Sequence, residues 1–144
     1  DFPIGEINIF FNQENIFLFS EEGDVSALNL LGKEVWTNNF DEQISSGLGY
    51  GLKSLFFATE NGKIVSIDAE SGNKLWESNV NGEVLSSPST NGVIVAVQTS
   101  NGKITALDFN DGSFKWEYQS TVSPLSLRGT SKPVFDKGFI FVVF

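Results

Sequence analysis

The chain has 144 residues, 40% apolar and 19% charged, which suits one packed domain and argues against disorder. Lysine and arginine total 9 against 18 acids, with no histidine, and the resulting charge of −9 repels phosphate backbones and anionic headgroups, so nucleic acid is excluded as a partner. Cysteine is absent, removing disulfides, thiolate metal sites and cysteine nucleophiles, and the longest apolar runs, 93–97 and 139–144, fall far short of the ~20 residues of a membrane helix.

The opening Asp1-Phe2-Pro3-Ile4 has no basic region followed by an apolar stretch, so any export signal or anchoring segment is expected to have been removed or never to have existed. From there the chain repeats itself. An apolar run at 16–19 leads to Glu22-Gly23, a strand at 24–29, the turn Asn29-Leu30-Leu31-Gly32 and then Trp36. The same order recurs as 55–58, Asn61-Gly62, 63–68, Asp68-Ala69-Glu70-Ser71-Gly72 and Trp76. It returns a third time as 93–97, Asn101-Gly102, 103–108, Asp108-Phe109-Asn110-Asp111-Gly112 and Trp116. The tryptophans are 40 residues apart, and each follows its glycine by four. A fixed period of this length decides the architecture before local propensity does.

Asn-Gly between apolar runs is a hairpin signal, since the turn needs positive φ. The continuous apolar run before each turn suits a strand covered on both faces. After the turn, Val25, Ile64 and Ile104 are equivalent, and small Ala27, Ser66 and Ala106 follow two residues on, leaving room for the tryptophan of a neighbouring sheet. Asp68 and Asp108 are placed to accept turn N–H groups while Gly72 and Gly112 turn left-handed; the Gly32 copy is one residue shorter and should turn more tightly.

The expected fold is all-β: a β-propeller of four-stranded blades, here about three and a half of them in one domain over 1–144. Blade boundaries fall near 4–40, 41–80 and 81–120, with 121–144 giving the first two strands of a fourth, placed over 125–128 and 139–144. An incomplete ring leaves sheet faces and strand edges open, so self-association of the chain is a further expectation.

Few residues suggest chemistry. Asp108, Asn110 and Gly112 start like a calcium loop, but Gln119 stands where the bidentate glutamate belongs, so a turn is expected. Gly47-Leu48-Gly49-Tyr50-Gly51 enters a strand instead of opening a helix, and is read as a bent or bulged first strand with no ligand. Without histidine or an identifiable substitute base, acyl transfer has no support. The informative departure is Ser123-Pro124-Leu125-Ser126-Leu127-Arg128-Gly129. Pro88 follows Trp76 by 12 residues and Pro133 follows Trp116 by 17, so five residues are inserted between blades. Insertions in a regular repeat become loops on one face, often the binding face. Leu125, Leu127 and Arg128 are anchor types of protein interfaces; the alternative is two core leucines and a solvated charge.

The segments Ser66-Ile67-Asp68 to Trp76 and Ala106-Leu107-Asp108 to Trp116 resemble the PQQ-like propeller repeat. More narrowly, Gly82-Glu83-Val84-Leu85-Ser86-Ser87-Pro88, Thr99-Ser100-Asn101-Gly102-Lys103 and the Leu125 segment look like consecutive pieces of the BamB family of lipoproteins, which serve outer-membrane β-barrel assembly. That resemblance implies a non-catalytic scaffold with no cofactor, on the periplasmic side of the outer membrane and lipid-anchored in the full-length protein. It implies contact of Leu125, Leu127 and Arg128 with the periplasmic POTRA domains of BamA, and admits unfolded outer-membrane proteins as a further partner class. The acylated cysteine of that family is missing here. PQQ-dependent dehydrogenases share the repeat and are the enzyme alternative, but this chain lacks the paired cysteines some of them carry. A generic repeat adaptor is the other alternative, with no reason to contain the Leu125 insertion.

Overall fold

Apolar runs that must be covered on two faces, punctuated by turns with positive φ, assemble into stacked antiparallel sheets. In the computed structural model, residues 7–121 and 131–143 are described. The first sheet pairs β1 (Ile7–Phe11), β2 (Asn15–Ser20), β3 (Asp24–Asn29) and β4 (Glu34–Asn39) in chain order. The second pairs β5 (Gly49–Gly51), β6 (Ser54–Ala58), β7 (Lys63–Asp68) and β8 (Lys74–Asn79), and the third β9 (Ser89–Thr90), β10 (Ile94–Gln98), β11 (Lys103–Asp108) and β12 (Phe114–Gln119). A two-stranded sheet of β13 (Val134–Asp136) and β14 (Phe139–Phe141) follows. No helix occurs among the described residues. The architecture is a partial β-propeller.

The first strand of the last sheet differs from expectation. It is Val134–Asp136, because Lys137 and Gly138, at φ 45° and 83°, close a two-residue hairpin that pairs Asp136 with Phe139. Residues 125–128 lie outside the described residues.

The hairpins joining the second and third strands turn at Gly23, Gly62 and Gly102, with φ of 94°, 75° and 79°. Each outer strand pair carries a register shift at the same place, between Ala27 and Leu28, Ser66 and Ile67, and Ala106 and Leu107. That bulge adds a residue to the outer strand and aims its tryptophan.

The core lies between sheets. Phe17, Phe19 and Val25 of the first sheet pack with Leu55, Phe57 and Val65 of the second. Phe56 and Ile64, one residue out of phase with Leu55 and Val65, point the other way and pack with Val84, Val95 and Leu107 of the third repeat. The period of two along β6 thus serves two interfaces, and every residue of that strand is buried.

Candidate functional site

The stacking contact is built from the tryptophan of one sheet and the glycine turn of the next. Trp36 Nε1 donates to the carbonyl of Ala69 at 3.0 Å, and Trp76 Nε1 to that of Phe109 at 2.9 Å. Each ring then lies over a glycine three residues further on. A Cβ on Gly72 would sit 2.5 Å from Trp36 Cε3, and a Cβ on Gly112 would strike the same atom of Trp76. These glycines also have φ of 75° and 71°, so two independent demands exclude a side chain there. Gly32 has φ 78° but nothing within 4 Å of its missing Cβ. Ala27, Ser66 and Ala106 stand opposite Trp36, Trp76 and Trp116 within the same sheet, so the small residue faces its own blade's tryptophan and the receiving residue in the next blade is the turn glycine.

The three tryptophans are equivalent in position and unequal in burial. Trp76 is 8% exposed, Trp36 is half-buried, and Trp116 is 40% exposed. Among the described residues, only the short β13–β14 pair follows the third sheet, and it brings no outer turn to cover the Trp116 ring.

Asp68 and Asp108 hold the turns. Asp68 Oδ1 accepts the N–H of Glu70 at 3.0 Å and of Ser71 at 2.7 Å. Partial burial would raise its pKa, but these bonds, the Ser71 hydroxyl and the nearby Lys53 outweigh it and hold the carboxyl below its ordinary value. Asp108 is held low chiefly by its contact with Lys115 at 2.9 Å, helped by the N–H of Asn110. These partners are turn N–H groups, the Ser71 hydroxyl and the ammonium groups of Lys53 and Lys115, all of them donors, as a turn requires. The shorter first copy closes on Asn29, whose carbonyl accepts Gly32 N–H across three residues, whereas Gly72 and Gly112 reach back four.

Gly47, Gly49 and Gly51 have a role that the sequence did not reveal. A Cβ on any of them would collide with the inner segment of the third repeat, meeting Ser87 Oγ, Pro88 O and Thr90 Cγ2 respectively. The alternating glycines let β5 approach β9 closely across blades. These inner strands border a cleft of about 310 Å³ whose wall includes Phe10, Tyr50, Pro88, Pro133 and Phe135.

Leu125, Leu127 and Arg128 lie outside the described residues, but both flanks of their segment are fixed to one face. Ser120 N–H donates to Gly102 O at 2.9 Å, and Gln119 Nε2 reaches the carbonyls of Asn101 and Gly102 at 3.2 and 3.4 Å. On the far side, Ser131 Oγ donates to Val143 O at 2.9 Å, and the buried Gln98 Nε2 donates to the same oxygen at 2.9 Å. This is the face of the second-to-third-strand hairpins and the linkers between sheets, joined by Glu60 N–H to Gln43 O and Ser100 N–H to Glu83 O. It exposes Glu21, Glu22, Asp41, Glu60 and Glu83. Lys63 is not free to offset them, being paired with Glu42 and, at 3.6 Å, with Glu77. Among the described residues, no three acidic, histidine or cysteine side chains converge as metal ligands would.

The family described as outer membrane protein assembly factor BamB matches residues 21–144. The chain belongs to the BamB family. A curated BamB from Nitrosomonas eutropha is 35% identical over 130 residues, covering 90% of this chain and 32% of its own length. The chain therefore spans about a third of that relative. The crystal structure of BamB from Moraxella catarrhalis superposes with a TM-score of 0.81 at 28% identity, over 89% of this chain and 39% of that one. A europium-containing methanol dehydrogenase superposes with a TM-score of 0.67 at 20% identity over 81% of this chain and 26% of that one, a likeness of fold. The BamB match includes the third repeat and the insertion after it, where the Leu125 segment departs from the generic pattern.

Proposed function

We propose that this chain is part of a non-catalytic scaffold that assists assembly of β-barrel proteins into the bacterial outer membrane by contacting the periplasmic POTRA domains of BamA. The observation carrying this reading is the BamB family match through residue 144, which spans the five-residue insertion. In this reading Leu125 and Leu127 enter apolar pockets of the partner, and the Arg128 guanidinium pairs with a carboxylate in bidentate fashion. Clamped flanks favour such a segment, since less conformational freedom is lost on docking. The blades supply the rigid base: repeating sheets fixed to one another by tryptophan and glycine hold a loop in place without taking part in chemistry. The location that follows is the periplasmic side of the outer membrane, with a lipid anchor in the full-length protein. Blade limits near 40, 80 and 120 belong to the same reading.

Titration calorimetry of the chain with purified BamA POTRA domains tests it. Saturable binding is the expected outcome; no binding, together with tight uptake of a quinone cofactor or calcium, would instead support the dehydrogenase class that shares the fold.

A further inference from the structure

Four asparagines are followed by glycine: Asn61-Gly62, Asn81-Gly82, Asn91-Gly92 and Asn101-Gly102. Asparagine is a labile residue, and a following glycine has no Cβ to hinder its nitrogen from reaching the asparagine Cγ. The structure ranks the four. Asn91 Oδ1 is held by the N–H groups of Val93 at 2.9 Å and Ile94 at 3.0 Å. Asn101 is held at both side-chain atoms, by Thr99 Oγ1 at 2.5 Å and by donation to Asn81 O at 3.3 Å. Asn61 makes no side-chain hydrogen bond among the described residues, but its peptide is clamped: Gly62 N–H donates to Thr59 O at 3.0 Å and Gly62 O accepts Val80 N–H at 2.8 Å.

Asn81 differs from Asn91 and Asn101 in its unbonded side chain and from Asn61 in the weaker hold on its glycine nitrogen, while its own carbonyl accepts Asn101 Nδ2 at 3.3 Å. It is exposed, and its side chain has no hydrogen-bond partner among the described residues. The Gly82 N–H closes only a three-residue turn on Val80 O at 3.2 Å, the longest of the four glycine N–H bonds. Gly82 itself sits at φ 139° in a linker between sheets, outside any strand.

We propose that Asn81 is the chain's site of spontaneous deamidation. The Gly82 nitrogen gives its proton to hydroxide and bonds to Asn81 Cγ. The Cγ–Nδ2 bond breaks, and the departing NH2 takes one proton from water to leave as ammonia, which regenerates the hydroxide. Water then opens the cyclic imide at either carbonyl, giving aspartate or isoaspartate. Water is the only co-reactant and nothing is oxidised. The product adds a carboxylate to the face that already exposes Glu60 and Glu83, and the isoaspartate form lengthens the main chain by one methylene beside buried Val80. Asn81 O accepts Asn101 Nδ2, and Asn101 O accepts Gln119 Nε2, so the change reaches the flank of the 122–130 segment.

Peptide mapping by mass spectrometry after incubation of the folded chain at mildly alkaline pH tests this, with isoaspartate scored by methyltransferase labelling. Conversion at Asn81 is expected to be several-fold faster than at Asn61, Asn91 or Asn101, and the lead should vanish in urea. Equal rates in the folded chain, or a lead by Asn91 or Asn101, would overturn the proposal. A Gly82→Ala control is unsuitable, because a Cβ there sits 3.0 Å from Thr99 Cβ at a φ that alanine rarely adopts. Asn81→Gln keeps the amide and the fold, and should lower early ammonia release several-fold; unchanged release from that variant would equally overturn it.

Discussion

Replacing Trp76 by alanine removes a ring that is 8% exposed, together with the indole bond to Phe109 O. A buried tryptophan cut to alanine costs about 3–5 kcal/mol. Trp116 occupies the equivalent position with 40% exposure, so it has about a third less of its surface to lose. For a side chain burying ~200 Å², that third is ~65 Å², or about 1.6 kcal/mol at ~25 cal/mol per Å². The lost indole hydrogen bond adds about 1 kcal/mol. In the 144-residue chain, Trp76→Ala should therefore cost about 2.5 kcal/mol more than Trp116→Ala, with Trp36→Ala between them. Urea unfolding followed by circular dichroism avoids dependence on tryptophan emission, and equal slopes would show that the unfolded state is unchanged. Losses for Trp76 and Trp116 within about 0.5 kcal/mol of each other would refute the claim that the ring acts through the glycine turn of the following blade.

Three further outcomes follow from the same contacts. Gly32→Ala should cost only the left-handed backbone penalty of about 1–2 kcal/mol, whereas Gly112→Ala adds a collision with the Trp76 ring and should cost clearly more in the same assay. Gly49→Ala places a methyl against Pro88 O and should part the inner strands, seen as faster hydrogen exchange in β5 and β9 with the outer strands still protected. Asp68 and Asp108 have folded pKa values below their ordinary 3.8, so their contribution is fully present above that value and is lost as pH falls through the lowered range. Asp68→Asn should flatten the acid limb of a stability-against-pH curve; an unchanged limb would remove Asp68 from the account.

The period of 40 made the blades legible, because turn glycines, apolar runs and tryptophans are local signals that recur in phase. Contacts between blades are not local. Trp36 meets Gly72, one repeat away, and the sequence showed only that both are conspicuous; the small residues Ala27, Ser66 and Ala106 suggested a different receiver. The glycines at 47, 49 and 51 looked like a bend for the same reason, since the strand that they admit lies in the next repeat. Unequal tryptophan burial was hidden by equal spacing, as exposure depends on what covers each ring. The insertion was visible by counting from Trp116 to Pro133, and its clamps, Gln98 and Gln119, were not, because each is an ordinary strand residue until the sheets are stacked.

In the proposed function the chain binds through Leu125, Leu127 and Arg128, and its blades provide only rigidity. The most direct measurement compares the affinity of BamA POTRA domains for the unaltered chain and for Arg128→Ala, with the thermal midpoint of each recorded. Arg128→Ala is expected to lose about 2 kcal/mol or more in binding, as for an interface arginine anchor, at an unchanged midpoint. Unaltered affinity, or a loss of stability as large as the loss of binding, would contradict it.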